Sequence, residues 1–105
     1  MHVTAMIVSF RHKGLEELFK KGSSKKINPQ HQAKLVEQMS ILDSLVNETD
    51  ILIYLQWFPH KLSGKNSKGK DVEGHWSLKV SGNWRLTYCF EPDGNVVLLD
   101  YIDYH

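Results

Sequence analysis

The chain has a single cysteine, Cys89, only three prolines, and no apolar run near the roughly 20 residues that a membrane helix requires. One cysteine excludes an internal disulfide and fits a reducing compartment. Set in an apolar strand, Cys89 reads as a packing residue rather than a nucleophile. No secretory leader pattern precedes the first apolar segment, so a soluble cytoplasmic protein without membrane contact is expected. The six histidines show no pair at metal-ligand spacing. There is no cysteine cluster, no phosphate-cradling Gly-rich loop and no serine nucleophile elbow. Neither a metal nor any other cofactor is expected. A surplus of one charge is missing too: 13 Lys and Arg face 12 Asp and Glu for a net charge of +1, which argues against a general nucleic-acid coat.

What is present is an ordinary globular composition, 41% hydrophobic over 105 residues, enough for one packed domain and too little for two. Met6 to Phe10 is a short apolar segment that predicts a first strand. Gly14 to Lys21 predicts a helix with Leu15, Leu18 and Phe19 on one face and Gly22 as its stop. Asn28 and Pro29, as cap and first helical residue, predict a longer helix to about Val46, with Leu35, Met39, Leu42 and Val46 as its buried stripe. Ile51 to Phe58 is rich in β-formers and predicts a strand in its second half, ended by Pro59. The segment from His60 to Gly74, with three glycines and four lysines, predicts a long basic loop. Pro92 to Asn95 predicts a tight turn before a last strand from Val96 to Tyr101. The order β-α-α-β-β-β-β predicts an α+β domain over residues 1–105, an antiparallel sheet with two helices packed on one face.

Between the long loop and that turn lies the most informative stretch. Trp76, Leu78 and Val80 alternate with Ser77, Lys79 and Ser81; after Gly82-Asn83, Trp84, Leu86, Tyr88 and Phe90 alternate with Arg85, Thr87 and Cys89. This is a hairpin with one apolar and one polar face. On the polar face Arg85 sits in mid-sheet, where a guanidinium is costly unless an anion meets it. His60, ahead of the basic loop, and the terminal Tyr104-His105 are titratable groups able to move protons. Their plain alternatives are a solvated loop histidine and a frayed terminus. Lys61, Lys65, Lys68 and Lys70 crowd one loop, and Lys20, Lys21, Lys25 and Lys26 another. A polyanion has a surface to meet if folding brings these together; two solvated loops are the simpler reading.

Several runs together resemble the HigB toxins of the RelE/ParE superfamily: Phe10-Arg-His-Lys-Gly-Leu15, His60-Lys-Leu-Ser-Gly64, Gly74-His-Trp-Ser-Leu-Lys-Val80, Gly82-Asn-Trp-Arg-Leu-Thr87 and Asp100-Tyr-Ile-Asp-Tyr-His105. The Gly-Asn-Trp-Arg and Asp-Tyr-His signatures are specific in combination. The resemblance implies a RelE-like toxin of a type II toxin–antitoxin system that enters the ribosomal A site and cleaves messenger RNA. It also implies neutralisation by a HigA-like helix-turn-helix antitoxin. It assigns His60, Arg85, Tyr104 and His105 to catalysis and Asn83 to the same pocket; the chain's own basic loop, with Lys61, Lys65, Lys68 and Lys70, is expected to meet RNA or the ribosome. Many relatives read His-Pro-Leu-Lys-Gly where this chain has Lys61 in the proline position and Ser63 in the lysine position, so the family's active-site lysine is missing from its place. The alternative within the superfamily is a non-nuclease on the same fold that occludes a target such as DNA gyrase or only binds its antitoxin.

Overall fold

The computed structural model describes residues 4–104, and the hairpin read from the sequence forms the middle of its sheet. β3 (Trp76–Ser81) and β4 (Trp84–Phe90) are joined by Gly82-Asn83. Gly82 has φ 54°, the positive φ at the first turn position that a type II′ hairpin requires and a Cβ resists. β5 (Asn95–Asp103) pairs antiparallel with β4, and β2 (His60–Lys61) antiparallel with β3. β1 (Met6–Ile7) runs parallel to β5 at the opposite edge, giving the order β1-β5-β4-β3-β2. The sheet is therefore mixed, with β1 the parallel member, inside the expected α+β class.

α1 (Lys13–Lys21) buries Leu15 and Leu18 and ends where Gly22, at φ 84°, turns its N–H to the Leu18 carbonyl at 2.9 Å. Asn28 caps the turn that begins at Pro29, its Oδ1 accepting from the Gln30 N–H at 2.9 Å, and α2 proper spans Gln32–Leu42. α2 stops short of the expected Val46. Asp43 Oδ1 accepts the Ile7 N–H at 2.9 Å and Ser44 Oγ donates to the Ile41 carbonyl at 2.9 Å, so the chain leaves the helix to tie itself to β1. Leu35, Met39 and Leu42 pack with Trp76, Leu78, Leu86, Tyr88 and Tyr101 in one core. Gln38 Nε2 anchors α2 over the sheet by donating to the Lys79 carbonyl at 2.8 Å.

The strand expected within Ile51 to Phe58 is not there. That segment forms two 3-10 turns, Glu48–Ile53 and Leu55–Trp57, and the strand follows Pro59 instead. The cause is a local start signal: Asp50 Oδ2 accepts the Asn47 N–H at 3.0 Å, closing a helical turn before the β-formers begin. Ile51 and Trp57 are then buried in the core with Tyr54 packed against it, while Leu52, Ile53, Leu55 and Phe58 stay exposed. Among the described residues no helix is long and apolar enough to cross a membrane.

A histidine caps α1. His12 Nδ1 accepts from the N–H groups of Gly14 at 3.0 Å and Leu15 at 3.4 Å, which requires an unprotonated Nδ1. Burial lowers the His12 pKa; Asp100 opposes the shift, and Lys26 and Lys70 add to it. A histidine whose pKa falls on folding binds more protons unfolded. Its contribution to stability is complete above the ordinary value of about 6.5 and is lost as pH falls through the folded pKa. The thermal midpoint is expected to drop between about pH 7 and pH 5. His12→Asn, which keeps a capping oxygen without titrating, should make that drop shallower in thermal denaturation across the same range.

Candidate active site

The alternation of the strands sorts the sheet into two faces, and the register aligns rows across the polar one. His60 pairs with Ser77, Ser77 with Thr87, and Thr87 with Asp100. In the next row Lys79 pairs with Arg85 and Arg85 with Ile102. Tyr104 extends the same face beyond β5, its N–H donating to the Asn83 carbonyl at 2.9 Å. A bulge in the β4–β5 pairing, with Leu98 at φ 60°, brings Asp100 opposite Thr87. Ser77, Thr87 and Asp100 are buried, although they lie on the face away from the apolar core.

The basic loop reaches Asp100, with Ser67, Lys68 and Lys70 lining the same cleft. It leaves β2 and returns to β3 as a closed excursion: Leu62 N–H donates to the His75 carbonyl at 2.7 Å, Val72 N–H to the Gly64 carbonyl at 2.9 Å, and Gly64 N–H to Glu73 at 3.0 Å. Its tip bounds two clefts. One, of about 360 Å³, places Lys65 and Asn66 beside Tyr104. The other, of about 510 Å³, gathers Lys68 and Lys70 with Arg11, His12 and Lys26 along β5. The two lysine clusters of the sequence thus meet at the second cleft through Lys26, Lys68 and Lys70.

Arg85 is half-buried, and Nη1 donates to the Gly82 carbonyl at 2.7 Å and the Trp84 carbonyl at 3.0 Å. The hairpin turn thus holds one nitrogen of the guanidinium, and its other donors are not committed to those carbonyls. Burial raises the Tyr104 phenol above its ordinary value; the nearby Arg85 draws it back and Asp100 adds to the rise. At neutral pH this phenol keeps its proton. His60 is exposed, with Nδ1 3.0 Å from the Phe58 carbonyl. A carbonyl only accepts, so Nδ1 carries the proton and Nε2 of the neutral ring presents a lone pair. His60 and Arg85 lie two strands apart, roughly 10 Å, with a short offset along the strands. That is a span their side chains can bridge around one phosphate.

Of the residues expected from the resemblance, His60, Arg85 and Tyr104 share this face, and Asn83 holds the Tyr104 backbone. His105 lies outside the described residues. Lys65 borders Tyr104, while Lys68 and Lys70 face the second cleft. Lys61 is on the other face of the sheet. Its Nζ pairs with Glu48 Oε1 at 2.9 Å and stands 5.5 Å over the Trp76 ring. Burial works against the Glu48 charge, yet hydrogen bonds from Lys61 and Trp76 hold its carboxyl below the usual range. Lys61 therefore does not replace the lysine missing at Ser63. Lys79, which nothing in the sequence marks as functional, stands between His60 and Arg85 with its Nζ 5.4 Å over the Phe58 ring. The alternation gives only its face: on β3 it shares the face of Ser77, opposite the core.

Residues 8–105 match the HigB-like toxin family, described as the RelE-like toxin of type II toxin–antitoxin system HigB. The chain is also 36% identical over 102 residues to the endoribonuclease HigB of Proteus vulgaris, a match that spans 95% of this chain and 100% of that protein.

Proposed function

Because the chain belongs to the HigB-like toxin family of type II toxin–antitoxin systems, we propose that it is an endoribonuclease that cleaves messenger RNA in the ribosomal A site. The observation that carries this reading is the common sheet face of His60, Lys79, Arg85 and Tyr104. A binding protein that only occluded its target has no chemical need for that set.

RNA supplies its own nucleophile. His60 Nε2 takes the proton of the 2′-hydroxyl, and the new bond from the 2′-oxygen to phosphorus forms as the bond to the 5′-oxygen breaks. Arg85 and Lys79 meet the charge that grows on the non-bridging oxygens, which is where fixed cations accelerate such a step. Tyr104, protonated at neutral pH, donates to the departing 5′-oxygen. The products are a 2′,3′-cyclic phosphate and a 5′-hydroxyl. His105, assigned to the same chemistry by the resemblance, is a further proton carrier for either role. The family implies an antitoxin partner; a HigA-like helix-turn-helix protein is the proposed one. No step requires a cofactor.

In this reading Lys79 supplies the cation that Ser63 does not. Lys79→Ala is expected to lower kcat by about tenfold or more, the weight of one charged hydrogen bond, with the fold unchanged. Lys79→Arg should restore much of it, as single-turnover cleavage would show. The function itself is tested by primer extension on translated mRNA with and without the purified protein. New ends within the reading frame are expected. Their absence, with growth arrest still produced in cells, would favour a non-nuclease that occludes a target.

A further inference from the structure

Phe58 has no role in the chemistry above except through its backbone, and its side chain is unusually placed. The residue is 64% exposed and sits at φ 48°, ψ 52°, immediately before Pro59. A residue with a Cβ is strained in this left-handed region, and a following proline disfavours helical conformations further. Where only a turn is needed, glycine or asparagine takes such a position at little cost. Here the conformation sets the Phe58 carbonyl toward His60 Nδ1 at 3.0 Å and leaves the ring outside, below the Lys79 ammonium at 5.4 Å. Continuing the pairing of His60 with Ser77 by two residues puts Phe58 opposite Lys79, in the row of Arg85. An exposed aromatic ring therefore lies against the Lys79 ammonium, on the residue whose carbonyl holds the proposed proton acceptor.

We propose that Phe58 and Lys79 form a nucleobase subsite, in which the base of a nucleotide flanking the cut stacks on the Phe58 ring while Lys79 holds the adjoining phosphate. The subsite rests on the endoribonuclease reading and adds to it a contact with a base. Single-stranded RNA is bound by this pairing of aromatic platform and cation, and a strained backbone beside reacting groups is retained where it positions something. Phe58 has no hydrogen-bonding edge, so the subsite accepts any base and holds purines, with the larger stacking area, more firmly. Between an RNA and a protein partner, the RNA is favoured by the ammonium over the ring and the direct link to His60; an apolar protein contact needs neither.

The test crosses protein variants with RNA variants on mRNA in programmed ribosomes, reading kcat/KM for cleavage. The proteins are wild type, Phe58→Ala and Phe58→Trp. The RNAs are intact or carry an abasic nucleotide at each position beside the cut in turn. Alanine keeps a Cβ, so the backbone demand at this position is preserved. On intact RNA, Phe58→Ala is expected to lose about tenfold and Phe58→Trp to stay near wild type. On RNA abasic at the contacted position, wild type should lose about as much and Phe58→Ala should lose nothing further. Equal losses on both RNAs would overturn the subsite, as would unchanged cleavage by Phe58→Ala. Unchanged cleavage with lost neutralisation by the antitoxin would assign the ring to that protein instead. Wild-type protein that cut neither RNA would overturn the nuclease reading itself.

Discussion

Replacing Arg85 by alanine is expected to reduce cleavage by about 10²–10³-fold while leaving the fold intact, the scale seen when one fixed donor to a developing oxyanion is removed. The guanidinium is positioned before substrate arrives. Its Nη1 is held by the Gly82 and Trp84 carbonyls, so its remaining donors need little reorganisation to meet a phosphate. The core does not depend on it: the opposite face of β4 buries Leu86 and Tyr88, and Arg85 lies on the polar side. Thermal stability of Arg85→Ala should therefore stay close to wild type. Arg85→Lys should recover only a small part of the loss, because an ammonium lacks the planar fork that lets one nitrogen bond the two carbonyls while the others meet a phosphate. Full activity in Arg85→Lys would mean that charge alone suffices and that the geometry of the hairpin turn is irrelevant.

The second large effect is expected at His60. Removing a general base typically costs about 10²–10⁴-fold, and His60→Ala should fall in that range under single-turnover conditions. The Phe58 carbonyl fixes the tautomer in which Nε2 is the acceptor. His60→Gln, which has an acceptor but no basic nitrogen, should be about as impaired as the alanine variant. His60 is exposed on the two-residue strand β2, so neither substitution disturbs the core. An imidazole added in solution should partly rescue His60→Ala if the lost function is proton removal and should not if it is packing.

The parts of this architecture that were legible in the sequence are those where local chemistry and tertiary packing agree. The hairpin from Trp76 to Phe90 alternates strictly, and a one-residue slip would expose its whole apolar set. Asn28-Pro29 and Gly22 mark helix ends by their own backbone preferences. Arg85 stands out in the sequence because a guanidinium fixed in mid-sheet is costly unless an anion meets it. Ile51 to Phe58 departs from the expected strand: its residue types favour strands, whereas the turn closed by Asp50 on Asn47 and the packing of Ile51, Tyr54 and Trp57 on the core decide its course. The end of α2 depended on Asp43 finding the Ile7 N–H, a contact between residues far apart in the chain. Lys79 carries no signal in the sequence for a related reason. A lysine on a polar strand face is ordinary until the register sets it beside Arg85 and beneath it an exposed aromatic ring. The loop lysines, alike in sequence, separate in space: Lys61 to Glu48, Lys65 to Tyr104, Lys68 and Lys70 to the cleft along β5.

The central claim, attack of the RNA's own 2′-hydroxyl within this site, is tested most directly by one substrate change. An mRNA with a single 2′-deoxynucleotide at the cleaved position would be incubated with wild-type protein in programmed ribosomes beside its all-ribose counterpart, and the ends of the products analysed. The account predicts that the all-ribose RNA yields a 2′,3′-cyclic phosphate and a 5′-hydroxyl, and that the deoxy-substituted RNA is not cut at that bond. Cleavage of the deoxy-substituted bond at an undiminished rate, or products bearing a 5′-phosphate, would contradict it.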